Sequence, residues 1–354
     1  MSRLRSQAFL LPVFSVLLGF AVGAVLIVAE GKSPVRALGA FWSGAFDGRD
    51  AFGRTLEKAT PLVLTGSAVI VGLRAGLFNI GAQGQLISGA LFAAYFGYRV
   101  GGLPGPLHAA AALAVGGLFG ALPAALAGVL KATRGVHEVI STIMLNTVIV
   151  SITEYLAGTP WKAPRAAFPR TPEIQESARI PRVGGLPTGF LLAVLAALLV
   201  WFLIDRTTTG FRLVTVGSNR HAAQYAGISV GVVTVGAMAL SGFLAGLGGA
   251  IESLGVVGHF ESNSSGTLGF DGITIALLAR VSPRAAIPAA LLIGALRAAD
   301  TALQFQAKVA PEVVDVMLAI ILLLVAAPML VRAVLRLKAE RDGGELQLTS
   351  GWGS

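Results

Sequence analysis

The chain has no cysteine, which excludes thiolate nucleophiles, disulfides and Cys-ligated metals or clusters. Charge is scarce too. Asp, Glu, Lys and Arg make up 13% of the 354 residues, against about 25% in a soluble domain, whose surface must face water. No G-x-x-x-x-G-K-[ST] run occurs, so the chain does not hold ATP through a Walker A loop. No G-x-S-x-G elbow is present, and His137-Glu138 lacks the second His of H-E-x-x-H. His108, His137, His221 and His259 are scattered along the chain. Together these absences argue against an enzyme.

What is present is apolar. Residues of the AVILMFWYC set reach 55%, and the mean hydropathy is +0.77. The expected class is an all-α, polytopic membrane protein. Its length accommodates roughly ten spans of about 20 residues with short loops, and no sizeable soluble domain. The net charge of +9 is assigned to Lys and Arg in cytoplasmic loops rather than to nucleic-acid binding. The 45 glycines suit helices packed through small residues.

Apolar runs predict about ten crossings, at 8–29, 60–75, 77–98, 107–130, 138–157, 187–204, 230–256, 267–280, 285–306 and 312–331. The segment 77–98 opens with polar residues and 267–280 is short, so both are candidates for broken or re-entrant helices. Met1 to Glu30 resembles a signal peptide, with Arg3 and Arg5 before the apolar run. That run exceeds a typical h-region and no clear A-x-A site follows, so it reads as an uncleaved first span. Lys and Arg then place Arg74, Lys131, Arg134, 206–220, 280–284 and 332–341 inside, with both termini cytoplasmic. The outer loop 158–186 runs against this rule, carrying Lys162, Arg165, Arg170, Arg179 and Arg182 beside Glu173 and Glu176.

The expected organisation is one transmembrane domain over 1–340 with a tail at 341–354. A first helix at 8–29 precedes a block of four spans (60–157), a linking span (187–204), an inner loop (206–229) and a second block (230–331). The blocks are expected to cross in opposite senses, as inverted repeats do. Small residues recur every four positions at Gly116, Gly120, Ala124 and Gly128, and again at Gly242, Gly246 and Ala250. These read as packing faces.

Two segments are richer in information. Gly76 to Gly89 carries Asn79, Gln83, Gln85 and, after Gly76, three glycines. Unsatisfied amides are expensive in hydrocarbon, so they must face the bundle interior. An amide both donates and accepts, which suits a pathway for a neutral polar solute; interhelical hydrogen bonding is the competing reading. Asn146, Glu154, Glu252, Asp271, Arg297, Asp300 and Gln304 are further intramembrane polar residues. Arg297 and Asp300, three apart, are expected to pair. Glu154 and Glu252 fall near outer ends, where solvation is expected. The second segment is Thr209 to Ile228. Ser218 or Asn219 is a good N-cap and Gly227 a good C′, framing a helix of about two turns. Alone it is marginal, and a receiving partner would stabilise it. It offers Ala222, Ala223, Tyr225 and Ala226, with Arg220 and His221 at its start. An ordinary interfacial loop is the competing reading.

These segments, with Glu138 to Asn146 (EVISTIMLN) and Gly269 to Arg280 (GFDGITIALLAR), resemble permease subunits of bacterial ABC importers. The class is that of branched-chain amino acid, ribose and nucleoside permeases, nearest its simple-sugar/nucleoside subgroup. The likeness spans about residues 55–335. It implies a multi-pass subunit of the bacterial inner membrane that pairs with a second homologous or identical permease. A cytoplasmic ABC ATPase and an extracytoplasmic solute-binding protein complete the transporter. The chain itself is then expected to hold no cofactor, with ATP and Mg used by the ATPase. The resemblance makes 212–228 the coupling helix that docks on the ATPase and carries over Gly217, Ala222, Ala223 and Gly227; Arg220 and Tyr225 join them from the helix face read above. It places Asn79, Gln83, Gln85 and Asn146 near the translocation pathway. The sequence departs from relatives at Arg280-Val281-Ser282-Pro283, where they often have Gly and Asn around the Arg and Pro. Two rivals are an ion-coupled secondary transporter, which would need no ATPase, and a membrane enzyme, which would need clustered catalytic carboxylates or histidines.

Overall fold

In hydrocarbon a chain must satisfy its own N–H and C=O groups, and this selects helices. The computed structural model describes residues 2–262 and 266–326, with side chains from Val13 onward. It contains α1 (Ser2–Ala29), α2 (Pro34–Ala45), α3 (Gly48–Arg74), α4 (Ala82–Arg99), α5 (Gly105–Arg134), α6 (Glu138–Gly158) and α7 (Thr188–Arg206). These are followed by α8 (Thr208–Ser218), α9 (Arg220–Tyr225), α10 (Val230–Glu252), α11 (Leu268–Leu278), α12 (Pro283–Gln306) and α13 (Pro311–Ala326). Among the described residues six helices are long and apolar enough to cross a membrane: α3, α5, α6, α7, α12, and α10 with its π-helical extension to Val257. The expectations for Arg3 and Arg5, for 327–331 of the last span, for the basic run 332–341 and for the tail 341–354 fall on side chains or residues outside this description.

Among the described residues helices occupy the apolar runs, with instructive differences. α3 begins at Gly48 rather than near 60, because an amphipathic extension buries Ala51, Thr55 and Leu56 while Asp50, Arg54 and Lys58 stay exposed. α2 was not expected. Ser33 accepts a hydrogen bond from Arg36 N, Pro34 fills the first turn, and Ala37, Ala40 and Gly44 bury one face. The 77–98 span is broken. Residues 77–81 are irregular and α4 starts only at Ala82. α11 has 11 residues, about 16 Å of helix, roughly half a hydrocarbon core.

The packing is set by small residues. The ladders on α5 and α10 face each other: a side chain at Gly246 would lie 2.5 Å from Gly116 O, and one at Gly120 2.5 Å from Gly242 O. α4 joins them, since Gly89 abuts the Gly246 main chain. α3 is the most buried long helix. Gly272 of α11 meets Thr65, and Gly294 of α12 meets Ala59. Backbones approach this closely only where Cβ atoms are missing.

The helix ends sort by charge. At the basic end Arg74 Nε donates to Val281 O at 3.1 Å. Arg284 stacks 4.5 Å from the Trp201 ring centre. At the opposite end the segment 159–187 caps the bundle through main-chain bonds to Gly97, Leu254, Gly258 and Phe260. Its basic residues are partly neutralised there: Arg179 pairs with Glu173 and Glu176, and Arg182 with Glu57. A hairpin closes it, pairing Arg182–Val183 (β1) with Leu186–Pro187 (β2) around Gly184 and Gly185, both at positive φ as a two-residue turn requires.

The departing sequence forms the turn after α11. Val281 N bonds Ala276 O at 2.9 Å and Arg280 N bonds Leu277 O at 2.8 Å, a Schellman motif. The left-handed C′ position, normally Gly, is Arg280 at φ 50°, followed by Val281 at φ 56°. Arg280→Gly is expected to raise the melting temperature, relieving about 1 kcal/mol of backbone strain; a fall would mean that the Arg280 side chain holds the turn. Gly246→Leu is expected to abolish folded protein in membranes, since overpacking against main chain has little room to relax. Gly236→Leu, at a position with nothing within 4 Å, is the matched control and should express normally.

Candidate functional site

Breaking two helices inside a membrane leaves N–H and C=O groups without helical partners. The side chains that meet them are the predicted amides. α3 ends in a Schellman motif at Gly76, with Gly76 N bonded to Leu73 O and Leu77 N to Gly72 O. The chain then climbs into the bundle. Asn79 is wholly buried. Its Nδ2 donates to Gln85 Oε1 at 2.8 Å and to Ser241 Oγ at 2.9 Å. Its Oδ1 accepts from Gly81 N at 2.9 Å and from Gln85 Nε2 at 3.0 Å. Asn146 on α6 donates to Ile80 O at 2.9 Å and accepts from Gly84 N at 2.8 Å. Gln83 bridges the two broken segments: Nε2 donates to Gly266 O and Oε1 accepts from Gly269 N, both at 2.7 Å. Glu138 adds an ion pair with Lys131 and accepts from Phe78 N at 3.4 Å.

The structure therefore brings Asn79, Gln83, Gln85 and Asn146 into one hydrogen-bonded neighbourhood, each engaged with protein groups. Sequence reasoning missed Ser241, which passes Asn79's bond on to Ala68 O at 2.6 Å. The signal available was a hydroxyl in the middle of the apolar stretch of α10. It also missed the receiving backbone at Gly266 and Gly269, which carries no side-chain signature.

The second site is a corner at the basic end. Thr207 Oγ1 accepts from Gly210 N at 3.1 Å to start α8. Asn219 ends α8 and caps α9, its Oδ1 accepting from Ala222 N at 2.9 Å. Gly227, at φ 75°, closes α9 in a Schellman motif: Ile228 N reaches Ala223 O and Gly227 N reaches Gln224 O. Ala223 is buried, whereas Arg220, His221, Ala222 and Tyr225 are exposed, Tyr225 to 94%. Gly217 lies on the last turn of α3, where a Cβ would strike Arg74 O and Gly76 N. The exposed α9 is thus seated, through α8, on the residues that open the break.

Arg297 does not pair with Asp300 as expected. It reaches Asp271 on α11 at 2.9 Å, Asp315 on α13 at 2.9 Å and Thr267 at 3.0 Å. The start of α11 lies beside α12 and competes successfully with the neighbour one turn along. Glu252 is buried, unlike the solvated group expected, because the 159–187 cap covers that end of α10. Among the described residues no three His, Asp or Glu side chains converge as a metal site.

Helices interrupted by irregular backbone that side-chain amides hold are a recurrent feature of transport proteins. The family model described as branched-chain amino acid transport system / permease component matches residues 52–326. The chain belongs to this family and is a multi-pass membrane permease component. It is 37% identical to the guanosine ABC transporter permease protein NupP of Bacillus subtilis, over 94% of this chain and 97% of the relative. It is 29% identical to the nucleoside ABC transporter permease protein NupB of Lactococcus lactis, over 94% of each chain. A third relative, the glucose ABC transporter permease protein TsgB13 of Haloferax volcanii, is 32% identical over 88% of this chain and 85% of its own.

Gln83→Leu is expected to strand Gly269 N–H and Gly266 C=O, at about 1–3 kcal/mol for each buried group left unpaired. Thermal unfolding in detergent should show the loss. A melting temperature equal to that of the unsubstituted protein would mean that the two breaks are held by something else.

Proposed function

We propose that this chain is one permease of a bacterial ABC importer for nucleosides, in the inner membrane with both termini cytoplasmic. It pairs with a second permease of the same type, receives solute from an extracytoplasmic binding protein and is driven by a cytoplasmic ATPase, which uses the ATP and Mg. The observation that carries this reading is α9: a short, doubly capped helix, exposed on its Arg220, Ala222 and Tyr225 side and joined through α8 to the α3 turn that opens the break. The full-length likeness to guanosine and nucleoside permeases supports the solute class.

In this mechanism the ATPase grips α9 and moves it. Gly217 passes the displacement to Arg74–Gly76, and Arg74 passes it to the α11–α12 turn at Val281. Both broken segments are then shifted together, because Gln83 ties them. Since Asn79, Gln85 and Asn146 are committed to backbone and to one another, they shape the pathway wall rather than grip solute. Weak solute contact leaves selection to the binding protein, which suits passage. The chain makes and breaks no bond in the solute.

The test is ATP-driven uptake of labelled guanosine into liposomes holding the whole complex. Ala222→Arg adds bulk and charge to the docking face and is expected to cut both uptake and solute-stimulated ATP hydrolysis by more than about tenfold, equivalent to 1.4 kcal/mol. Unchanged hydrolysis would remove α9 as the coupling element. Uptake of glucose but not guanosine would keep the importer and replace the solute class.

A further inference from the structure

A helix face that meets lipid shows it in composition. The exposed face of α5 carries Leu118, Leu122 and Leu126, and that of α7 carries Leu191, Leu195 and Leu199. α6 exposes Ile140, Ile143, Met144, Val148 and Ile152 in the same way, but adds polar residues to that side. Among its exposed residues are Thr147, Ser151 and Glu154, spaced so that they form one stripe. Thr147 lies about 14 Å from the start of the helix and about 16 Å from its end, at mid-span. Ser151 and Glu154 continue the stripe toward the capped end.

The hydroxyls on this helix fall into two kinds. Ser141, Thr142 and Thr153 bond back to carbonyls of their own helix, the usual way a hydroxyl is hidden in a membrane span. Thr147, Ser151 and Glu154 have no side-chain hydrogen-bond partner among the described residues. The rotation of α6 is fixed by Asn146, which is locked to Ile80 O and Gly84 N. At 100° per residue the three polar residues then lie about 80–140° around the helix from Asn146, on the side of α6 that this chain leaves open, beside exposed Ile140 and Ile143. A carboxylate and two unpaired hydroxyls are unsuited to hydrocarbon, whereas the exposed leucines of α5 and α7 suit it.

We infer that this flank of α6 lines the water-filled pathway, with Thr147 and Ser151 as hydroxyls that touch the solute and Glu154 at the mouth. The inference rests on the importer reading. The chemistry suits a neutral solute bearing hydroxyls and ring nitrogens: each Thr or Ser hydroxyl donates and accepts, so it exchanges bonds with such a molecule without holding it.

The absence of cysteine makes the test clean. Single Cys residues are placed at Thr147, at Ser151 and, as the lipid-facing reference, at Leu195, in the full complex reconstituted in liposomes. The probe is a charged, membrane-impermeant methanethiosulfonate. Thr147→Cys and Ser151→Cys are expected to react more than about tenfold faster than Leu195→Cys, because only a water-filled path delivers a charged reagent to mid-span. Reaction no faster than at Leu195, in complexes that still import, overturns the inference: the flank then meets lipid or a dry contact with the second permease. Loss of the importer reading would show separately, as absent ATP-driven uptake by the unsubstituted complex.

Discussion

The constraint on which this structure turns is that irregular backbone inside a membrane must find every hydrogen bond in protein. Among the described residues, 77–81 before α4 and 266–267 before α11 are irregular. Asn79, Asn146 and Glu138 bond the main chain of the first, Gln85 holds Asn79 in place, and Gln83 joins the first to the second. Without these amides each orphaned group would cost about 1–3 kcal/mol, and unbroken helices would be the better solution. The break therefore exists because the amides do.

Close packing makes the arrangement rigid enough to transmit force. α5 and α10 meet through glycine and alanine, and α4 is drawn against both at Gly89. α3 is clasped by α11 and α12 through Gly272 and Gly294. A displacement at the α3 turn has little slack to be absorbed in. The route from α9 to the break is short: Ala223 seats α9, Gly217 touches Arg74 and Gly76, and Asn79 lies three residues beyond Gly76.

Much of this was legible in the sequence. Apolar runs located the spans, and the capping residues around 218–227 framed a short helix between Asn219 and Gly227. The weakness of 77–98 and 267–280 as spans pointed to the two segments that break. Other features were hidden because their cause is tertiary. α2 is too short and small-sided to register as a span, yet Ala37, Ala40 and Gly44 bury a face on its neighbours. Arg297 chose Asp271 and Asp315 over Asp300, a choice that depends on where α11 and α13 are laid. The amides were recognisable as interior groups, but their partners, Ser241 and the main chain at Gly266 and Gly269, come from more than 150 residues away.

The central claim is that this chain works only as part of an ATP-driven assembly. Gentle extraction of the native membrane, isolation through this chain and mass spectrometry of the intact complex test it most directly. The account predicts an ABC ATPase and a second permease of the same family in the isolated complex. A stable monomer or homodimer with no ATPase would contradict it and return α8–α9 to an ordinary interfacial loop.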